Sequence, residues 1–303
     1  MRILITGLSG FIGSALYHSF DQQEHELYTI DNLSFGNRAL ISIPDENFFV
    51  ADIRDRSRVL EIVQQIRPEI VIHLAAIHFI PYCNAHPFEA AEVNIQGTRN
   101  LLEACSATGS VRKLFYASTA AVYPVMEGPI SESVQPHPTD IYGLSKLSGE
   151  YVCEAFHYTT GCPTVICRFF NAFGPNETNP HLIPVIQEQV NAGKREISLG
   201  NLEPRRDFIH THDMGRAIIA LLDCFEEGLE VFNLGRGVEY SVLEIVQAFE
   251  ACLEEKIGIH QDPARIRKSD RMHLLADISK IKAFTGWSPA ISIESGIKTL
   301  IGA

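Results

Sequence analysis

The chain opens Met1-Arg-Ile-Leu-Ile-Thr6-Gly7-Leu-Ser-Gly10-Phe-Ile-Gly13, a short apolar run leading into three glycines spaced three apart. That pattern predicts a strand over 2–6, a tight turn and a helix over 11–22. Glycines let the turn's backbone approach a ligand closely. The free N–H groups and positive dipole end of the following helix favour an anion such as a pyrophosphate. The spacing of Gly7, Gly10 and Gly13 differs from the G-x-G-x-x-G of two-domain dehydrogenases. Taken alone, the segment is as well explained by a glycine-rich turn that binds nothing.

The next segments favour the ligand. Glu26-Leu-Tyr-Thr-Ile30 predicts a second strand, and it ends in Asp31. A carboxylate at that tip, roughly 20 residues beyond the glycines, is placed to grip an adenosine ribose through its hydroxyls. Its charge would repel a 2′-phosphate, which favours NAD over NADP. Val50-Ala51-Asp52-Ile53 closes a third strand, with Asp52 placed to meet the adenine.

Strand patterns recur near 2–6, 26–30, 47–50, 70–74, 112–117 and 163–168, with helical patterns over 11–22, 56–66, 87–107 and 140–160. Strands alternating with crossover helices predict an α/β fold built on a doubly wound parallel sheet. Beyond Arg168 the pattern loosens into loop chemistry at Pro175–Pro180, a helix near 182–193, and a capping box at Ser241-Val-Leu-Glu244 that opens a helix to about 254. The expected division is a dinucleotide-binding domain over 1–168, rejoined by segments near 207–235, and a smaller substrate lobe drawn mainly from 169–303.

Composition excludes several classes. The formal net charge of −12 argues against a nucleic-acid or anionic-membrane surface, though local arginines can still bind a phosphorylated ligand. The seven cysteines show no C-x-x-C and no metal-ligand spacing. Reduced core thiols are the expectation. His210-Thr-His212 lacks a third ligand, so no metal site is expected. With no apolar run near the ~18 residues of a membrane span and no signal-peptide pattern, the chain reads as cytoplasmic.

A second chemical signature lies at Tyr142-Gly-Leu-Ser-Lys146, where a tyrosine and a lysine share one helix face. A phenol with pKa ~10 is a poor base at neutral pH. An ammonium one turn away, with the positive nicotinamide ring, should favour the phenolate. Tyr142 is thus the candidate general base for a hydroxyl whose carbon gives hydride to the cofactor. The plain alternative is an exposed helix face.

These motifs, with Ala51-Asp52-Ile53-Arg54-Asp55, His73-Leu-Ala75-Ala76, Asn94-Ile-Gln-Gly97-Thr98, Ser118-Thr119-Ala-Ala-Val122-Tyr123 and Arg168-Phe-Phe-Asn171-x-Phe-Gly174-Pro175, run through nearly the whole chain. Arg206-Asp207-Phe-Ile-His210, Asn233-Leu-Gly235 and Ala276-Asp277 complete the set. The chain resembles the extended short-chain dehydrogenase/reductases, in the NAD-dependent nucleotide-sugar epimerase/dehydratase group. The resemblance implies a Rossmann domain with a smaller C-terminal lobe. It adds cofactor contacts at Phe11, Ile12, Asn32, Ile53, Leu74, Ala75, Ala76 and Asn94 to those at the glycines, Asp31 and Asp52. It also assigns the nicotinamide ribose to Lys146 and makes Thr119 the hydroxyl that holds the reacting oxygen beside Tyr142.

For substrate, the resemblance implies a nucleotide-diphosphate sugar, with Arg206 and Arg267 clamping the diphosphate and Asn171 contacting the ligand. Leu199-Gly-Asn-Leu-Glu-Pro-Arg-Arg-Asp207 is similar to the loop of GDP-mannose-using members. A homodimer is expected through the helices near 87–107 and 140–160, with Leu101, Leu102, Tyr151 and Phe156 as seam residues or, equally, as sheet-packing ones. His78 replaces a lysine of the galactose epimerases and could touch cofactor or sugar, or cap its loop.

Departures from the pattern guide the choice of reaction. The 4,6-dehydratases carry an Asp-Glu pair where this chain has Ala120 and Ala121. Elimination then lacks its acid and base, and epimerisation through a transient keto sugar is favoured. A keto-sugar reductase or a dehydratase of the same family is the alternative, and a non-catalytic NAD-binding sensor or scaffold is the more distant one.

Overall fold

The computed structural model describes residues 1–20, 24–266 and 271–301. The first half runs β1 (Arg2–Thr6), α1 (Phe11–Tyr17), β2 (Glu26–Asp31), β3 (Phe48–Val50), α2 (Arg56–Ile66), β4 (Ile70–His73), α3 (Ile80–Ala85), α4 (Pro87–Ala91), α5 (Thr98–Thr108), β5 (Lys113–Thr119), β6 (Pro129–Ile130), α6 (Ile141–Thr160) and β7 (Thr164–Phe169). The second half adds β8 (Asn171–Phe173), α7 (Leu182–Asn191), β9 (Glu196–Leu199), β10 (Arg205–His210), α8 (Thr211–Cys224), β11 (Leu229–Leu234), β12 (Glu239–Ser241), α9 (Val242–Leu253), β13 (Gly258–Gln261), β14 (Leu275–Ala276), α10 (Ser279–Thr285) and α11 (Ile293–Lys298).

Seven strands form one parallel sheet in the order β11-β7-β5-β4-β1-β2-β3. Alternation along each strand supplies both faces of the core. Ile3, Ile5, Phe115 and Ala117 join one buried cluster, which α1 and α8 cover with residues such as Leu16 and Ile218. Leu4, Leu114 and Tyr116 join the opposite one, with Val59, Leu101 and Phe156 from α2, α5 and α6. This is a doubly wound α/β fold. The chain direction reverses between β1 and β4, and in such sheets the crevice beyond the strand ends at that switch point receives ligands.

The later segments form a three-stranded sheet β12-β10-β8 and a pair β13-β9, packed with α7, α9 and α11 around Phe173, Ile186, Val246 and Phe249. The capping box at Ser241 and Glu244 is present at the start of α9.

Two helices differ from the sequence expectation. α1 ends at Tyr17 instead of near 22. The run over 87–107 is broken by a π-helical stretch at Glu92–Gly97. There Asn94 turns inward, accepting from the Ile77 N–H at 2.8 Å and donating to the Ile77 carbonyl and to Ser145 at 2.9 Å each. A π-turn of this kind re-aims one side chain without ending the helix. Among the described residues, no helix is long and apolar enough to cross a membrane.

Candidate active site

The C-terminal ends of β1, β2, β4 and β5 open onto a cavity of about 1280 Å³ that continues into the second half of the chain. Gly7 stands at positive φ (74°), and a Cβ there would meet the Ala75 backbone at 2.9 Å. Gly13 has less room: a Cβ would run into the carbonyls of Gly7 and Leu8. At Gly10 a Cβ would meet only the Gly7 carbonyl, at 3.2 Å, and this residue lines the cavity with Phe11 and Ile12. The turn is therefore a tight cradle whose open side is Gly10.

Asp31 ends β2 with its carboxylate buried beside that cradle. It accepts from the Ser9 N–H at 3.0 Å and the Leu33 N–H at 2.9 Å. Burial raises its pKa, and those two bonds oppose the rise. A carboxylate fixed in this way by backbone donors is preset to accept from ribose hydroxyls. With the unfilled side of Gly10, it makes the residues present fit a dinucleotide that carries no 2′-phosphate.

Asn32, Ile53, Leu74, Ala75 and Ala76 line the same cavity. Two expected cofactor residues do not. The Asp52 carboxylate is taken by Arg54, at 2.7 and 3.0 Å, and by Asn32 at 3.1 Å, which hold its pKa down to about 2. Arg54, not Asp52, faces the cavity. Asn94 is committed to Ile77 and Ser145, so it positions the loop after β4 from behind.

Thr119 ends β5, and its Oγ1 accepts from the Ala121 N–H at 3.1 Å. Tyr142 lies in the first turn of α6, whose N-terminus is capped by Asp140 accepting from Gly143 N–H at 2.7 Å. The Thr119 hydroxyl is close enough to the Tyr142 phenol to act on its pKa, and Thr119, Tyr142 and Lys146 all line the cavity. Burial raises the Tyr142 pKa, with Thr119 opposing and with Cys83 and Asp140 adding to the rise. The lowering by Lys146 expected from the sequence is not among these effects, so the phenol is neutral in the protein alone.

Lys146 is only 2% exposed, and burial brings it down to about 8. Its Nζ sits 4.1 Å from the centre of the Tyr116 ring. Glu150, one turn further on, is bound by Arg168 at 2.7 and 3.0 Å and by the Ser118 hydroxyl. Those bonds occupy the Glu150 carboxylate, whose charge still favours the Lys146 ammonium, and Lys146 lines the cavity.

The opposite wall comes from the second half. Asn171 and Arg206 lie on the adjacent strands β8 and β10 and both line the cavity. Arg205 points the other way, to Glu239 and Glu244. Arg267 lies outside the described residues. His78 lines the cavity, bonded through Nε2 to Asn179 at 3.0 Å, and burial lowers its pKa.

Sequence reasoning missed Arg271, whose Nη2 donates to the Tyr123 carbonyl at 2.9 Å. It also missed Tyr116 as the ring beneath Lys146. Arg271 directly follows the Arg267–Asp270 run, which was the available signal. Tyr116 carries none, because its partner lies on a separate element.

Known proteins resemble this chain in sequence and fold. The family model of the NAD dependent epimerase/dehydratase family matches residues 3–235. A UDP-glucose 4-epimerase of Corynebacterium glutamicum is 33% identical, over 95% of this chain and 91% of its own length. A GDP-6-deoxy-D-mannose reductase of Pseudomonas aeruginosa is 28% identical, over 99% and 96%. The structure of a Thermus thermophilus UDP-glucose 4-epimerase in complex with NAD superposes with a TM-score of 0.89, at 28% identity and full coverage of both chains. With the glycine cradle, the buried Asp31 and the Thr119-Tyr142-Lys146 wall in one crevice, the chain belongs to the NAD-dependent epimerase/dehydratase family, and its cofactor is NAD.

Proposed function

We propose that this protein is a nucleotide-sugar epimerase that oxidises a sugar hydroxyl to a ketone and returns the hydride to the opposite face. The observation that carries this reading is the wall itself. Thr119, Tyr142 and Lys146 converge on one cavity, while the two residues after Thr119 are alanines. Elimination of water needs an acid and a base beside the reacting carbons, and Ala120 and Ala121 can supply neither.

NAD⁺, when bound, supplies the hydride acceptor and a positive charge. Thr119 holds the reacting oxygen, and the Tyr142 phenolate takes its proton. The Lys146 ammonium, which makes no ion pair with Glu150 because that carboxylate is bound to Arg168, stabilises that phenolate and holds a ribose hydroxyl. On return Tyr142 gives the proton back to the same oxygen. One proton and one hydride leave and return, so net redox change is zero and no reductant is consumed.

Asp31, the glycine cradle, Ile53 and Leu74–Ala76 serve the cofactor in this reading, while Asn171, Arg206 and Arg267 serve the nucleotide diphosphate. Residues 1–168, with the return near 207–235, form the cofactor part, and 169–303 mainly the sugar part. Reductase chemistry needs the same three residues, and the Pseudomonas relative's name keeps it as the second reading.

The test is NMR of the purified protein with UDP-, GDP-, CDP- and dTDP-sugars and no added cofactor. A stereoisomeric sugar reaching one ratio from either side is the expected result. A keto-deoxy product would make it a dehydratase, and turnover of a keto sugar only with added NAD(P)H would make it a reductase.

The chain is further proposed to pair with a second copy. Leu144, Tyr151 and Tyr158 are exposed at seven-residue spacing along α6, with Phe88 of α4 also exposed. Leu101, Leu102 and Phe156 are buried against the sheet instead, so of the four expected seam residues Tyr151 alone is available.

A further inference from the structure

We propose that Tyr116 is a positioning residue for the reaction, the face of its ring holding the Lys146 side chain in place as an ammonium. The inference rests on the role given to Lys146 above. Tyr116 stands in the middle of β5 and is fully buried. The Lys146 Nζ lies over its ring, 4.1 Å from the centre. The Tyr116 hydroxyl donates to the Lys146 carbonyl at 3.3 Å. One side chain thus holds both ends of Lys146, the ammonium by its ring and the backbone by its hydroxyl.

Gly149, three residues further along α6, makes room for this contact. A Cβ there would run into the Tyr116 hydroxyl and come within 2.7 Å of the ring carbon that bears it. Glycine inside a helix is destabilising relative to alanine. At position 149 that cost is offset by the close approach of the tyrosine, which a larger residue would push away from α6.

The surroundings of Lys146 give the ring its purpose. Burial favours loss of the lysine proton. On α6 itself, Glu150 favours the ammonium, but its carboxylate is bound by Arg168. Cys153 lies on the same helix as a neutral thiol, because burial pushes its pKa up. His73 at the end of β4 and His78 in the loop beyond it are both lowered by burial and are uncharged near neutral pH. The electron-rich face of Tyr116 works against the desolvation, and a buried ammonium gains more from such a face than an exposed one. A ring that merely fills the space beneath Lys146 is the competing assignment.

The experiment measures the charge of Lys146 directly, by NMR titration of the NAD-bound protein with carbon-13 at the lysine Cε. The resonance missing from Lys146→Met identifies it. Tyr116→Phe keeps the ring face and should leave the Lys146 pKa little changed. Phenylalanine with a fluorinated ring at position 116 keeps the shape but withdraws the face's electron density, and it should lower that pKa. Tyr116→Met removes the face altogether and should lower it by about one pH unit, the size of a desolvated cation–π contact. Where a sugar turns over, the fall of kcat on the alkaline side should move down in pH by the same amount, because the ammonium is lost earlier.

A space-filling ring would lower kcat at every pH and leave both titrations in place. Equal Lys146 pKa values for Tyr116→Phe and its fluorinated form would therefore overturn the proposal. Absence of turnover with every sugar would instead sink the epimerase reading, and the lysine titration, which needs no substrate, would still decide the role of Tyr116. If Tyr116→Met does not fold, as judged by melting temperature and bound NAD, the two phenylalanine rings decide alone.

Discussion

The carbonyl oxygen of Ala121 occupies the space that a Cβ on Gly143 would need, with the Ala121 carbonyl carbon only 2.9 Å away. The first turn of α6 therefore lies directly on the turn that follows Thr119, and this contact brings Tyr142 to the Thr119 hydroxyl. Gly143→Ala must move α6 outward by a fraction of an ångström or more. A misplacement of roughly 1 Å can cost about 10²-fold in rate. We expect kcat to fall by one to two orders of magnitude and the melting temperature to drop, while bound NAD changes little, because the clash lies away from the glycine cradle. Unchanged turnover would show that the Tyr142–Thr119 geometry tolerates the shift.

Tyr142→Phe removes the proton acceptor and little else, because the phenol is half-buried and its hydroxyl has Thr119 as its neighbour. General acid–base groups contribute about 10²- to 10⁴-fold. The variant should fold, retain NAD and lose turnover by that factor. A near-normal rate in a sugar isomerisation assay would take Tyr142 out of the mechanism.

Much of this arrangement is legible from residue order, because the signals are local. Ile3, Leu4 and Ile5 alternate between two cores, and Gly7 to Gly13 form a turn that depends on its own backbone. What is not legible depends on partners that the sequence does not place together. Asp52 looks free until Arg54 folds back onto it. Asn94 passes for a cofactor ligand until the π-turn aims it at Ile77 and Ser145. Leu101 and Tyr151 are alike as apolar helix residues, and only the packing of α5 and α6 on the sheet sends one inward and the other to the surface.

The glycine cradle separates two kinds of damage. Valine at position 10 would project toward the open side of the turn, so Gly10→Val should fold but copurify without NAD. Even alanine at position 13 would collide with the Gly7 and Leu8 carbonyls. Gly13→Ala should lose NAD and also unfold at lower temperature. Absorbance of released cofactor and thermal unfolding read the two effects. Equal melting temperatures for both variants would show that the cradle relaxes around a methyl group.

The exposed stripe on α6 predicts an assembly. A helix face that presents Leu144, Tyr151 and Tyr158, the last 80% exposed, invites burial against its own copy. Light scattering should give a dimer for the wild type and a monomer for Leu144→Glu combined with Tyr151→Glu. A wild-type monomer at high protein concentration would remove the pairing.

Stability should fall on mild acidification, and His73 is a principal reason. Its Nδ1 lies 2.6 Å from the Thr6 hydroxyl, and its Nε2 lies 2.9 Å from the hydroxyl of Thr98, which itself donates to the Asn94 carbonyl. Thr98 can then only accept from His73, so Nε2 carries the proton and Nδ1 accepts from Thr6. A second ring proton would face the Thr6 oxygen in a fully buried site, and burial holds the His73 pKa down to about 3. Between pH 6.5 and 3 the unfolded chain binds a proton that the folded chain refuses, so stability is lost as pH falls through that window. His210, lowered to about 4, acts in the same direction. Asp207, raised to about 6, acts in the opposite one, because the folded chain takes up its proton first. At pH 5 the His73 contribution alone amounts to about 2 kcal/mol relative to pH 7. Urea unfolding at the two pH values should show a lower midpoint at pH 5 for the wild type. His73→Gln keeps polar atoms beside Thr6 and Thr98 but cannot titrate, and it should be less stable at pH 7 with a visibly smaller drop at pH 5. An equal drop in wild type and variant would place the acid sensitivity elsewhere.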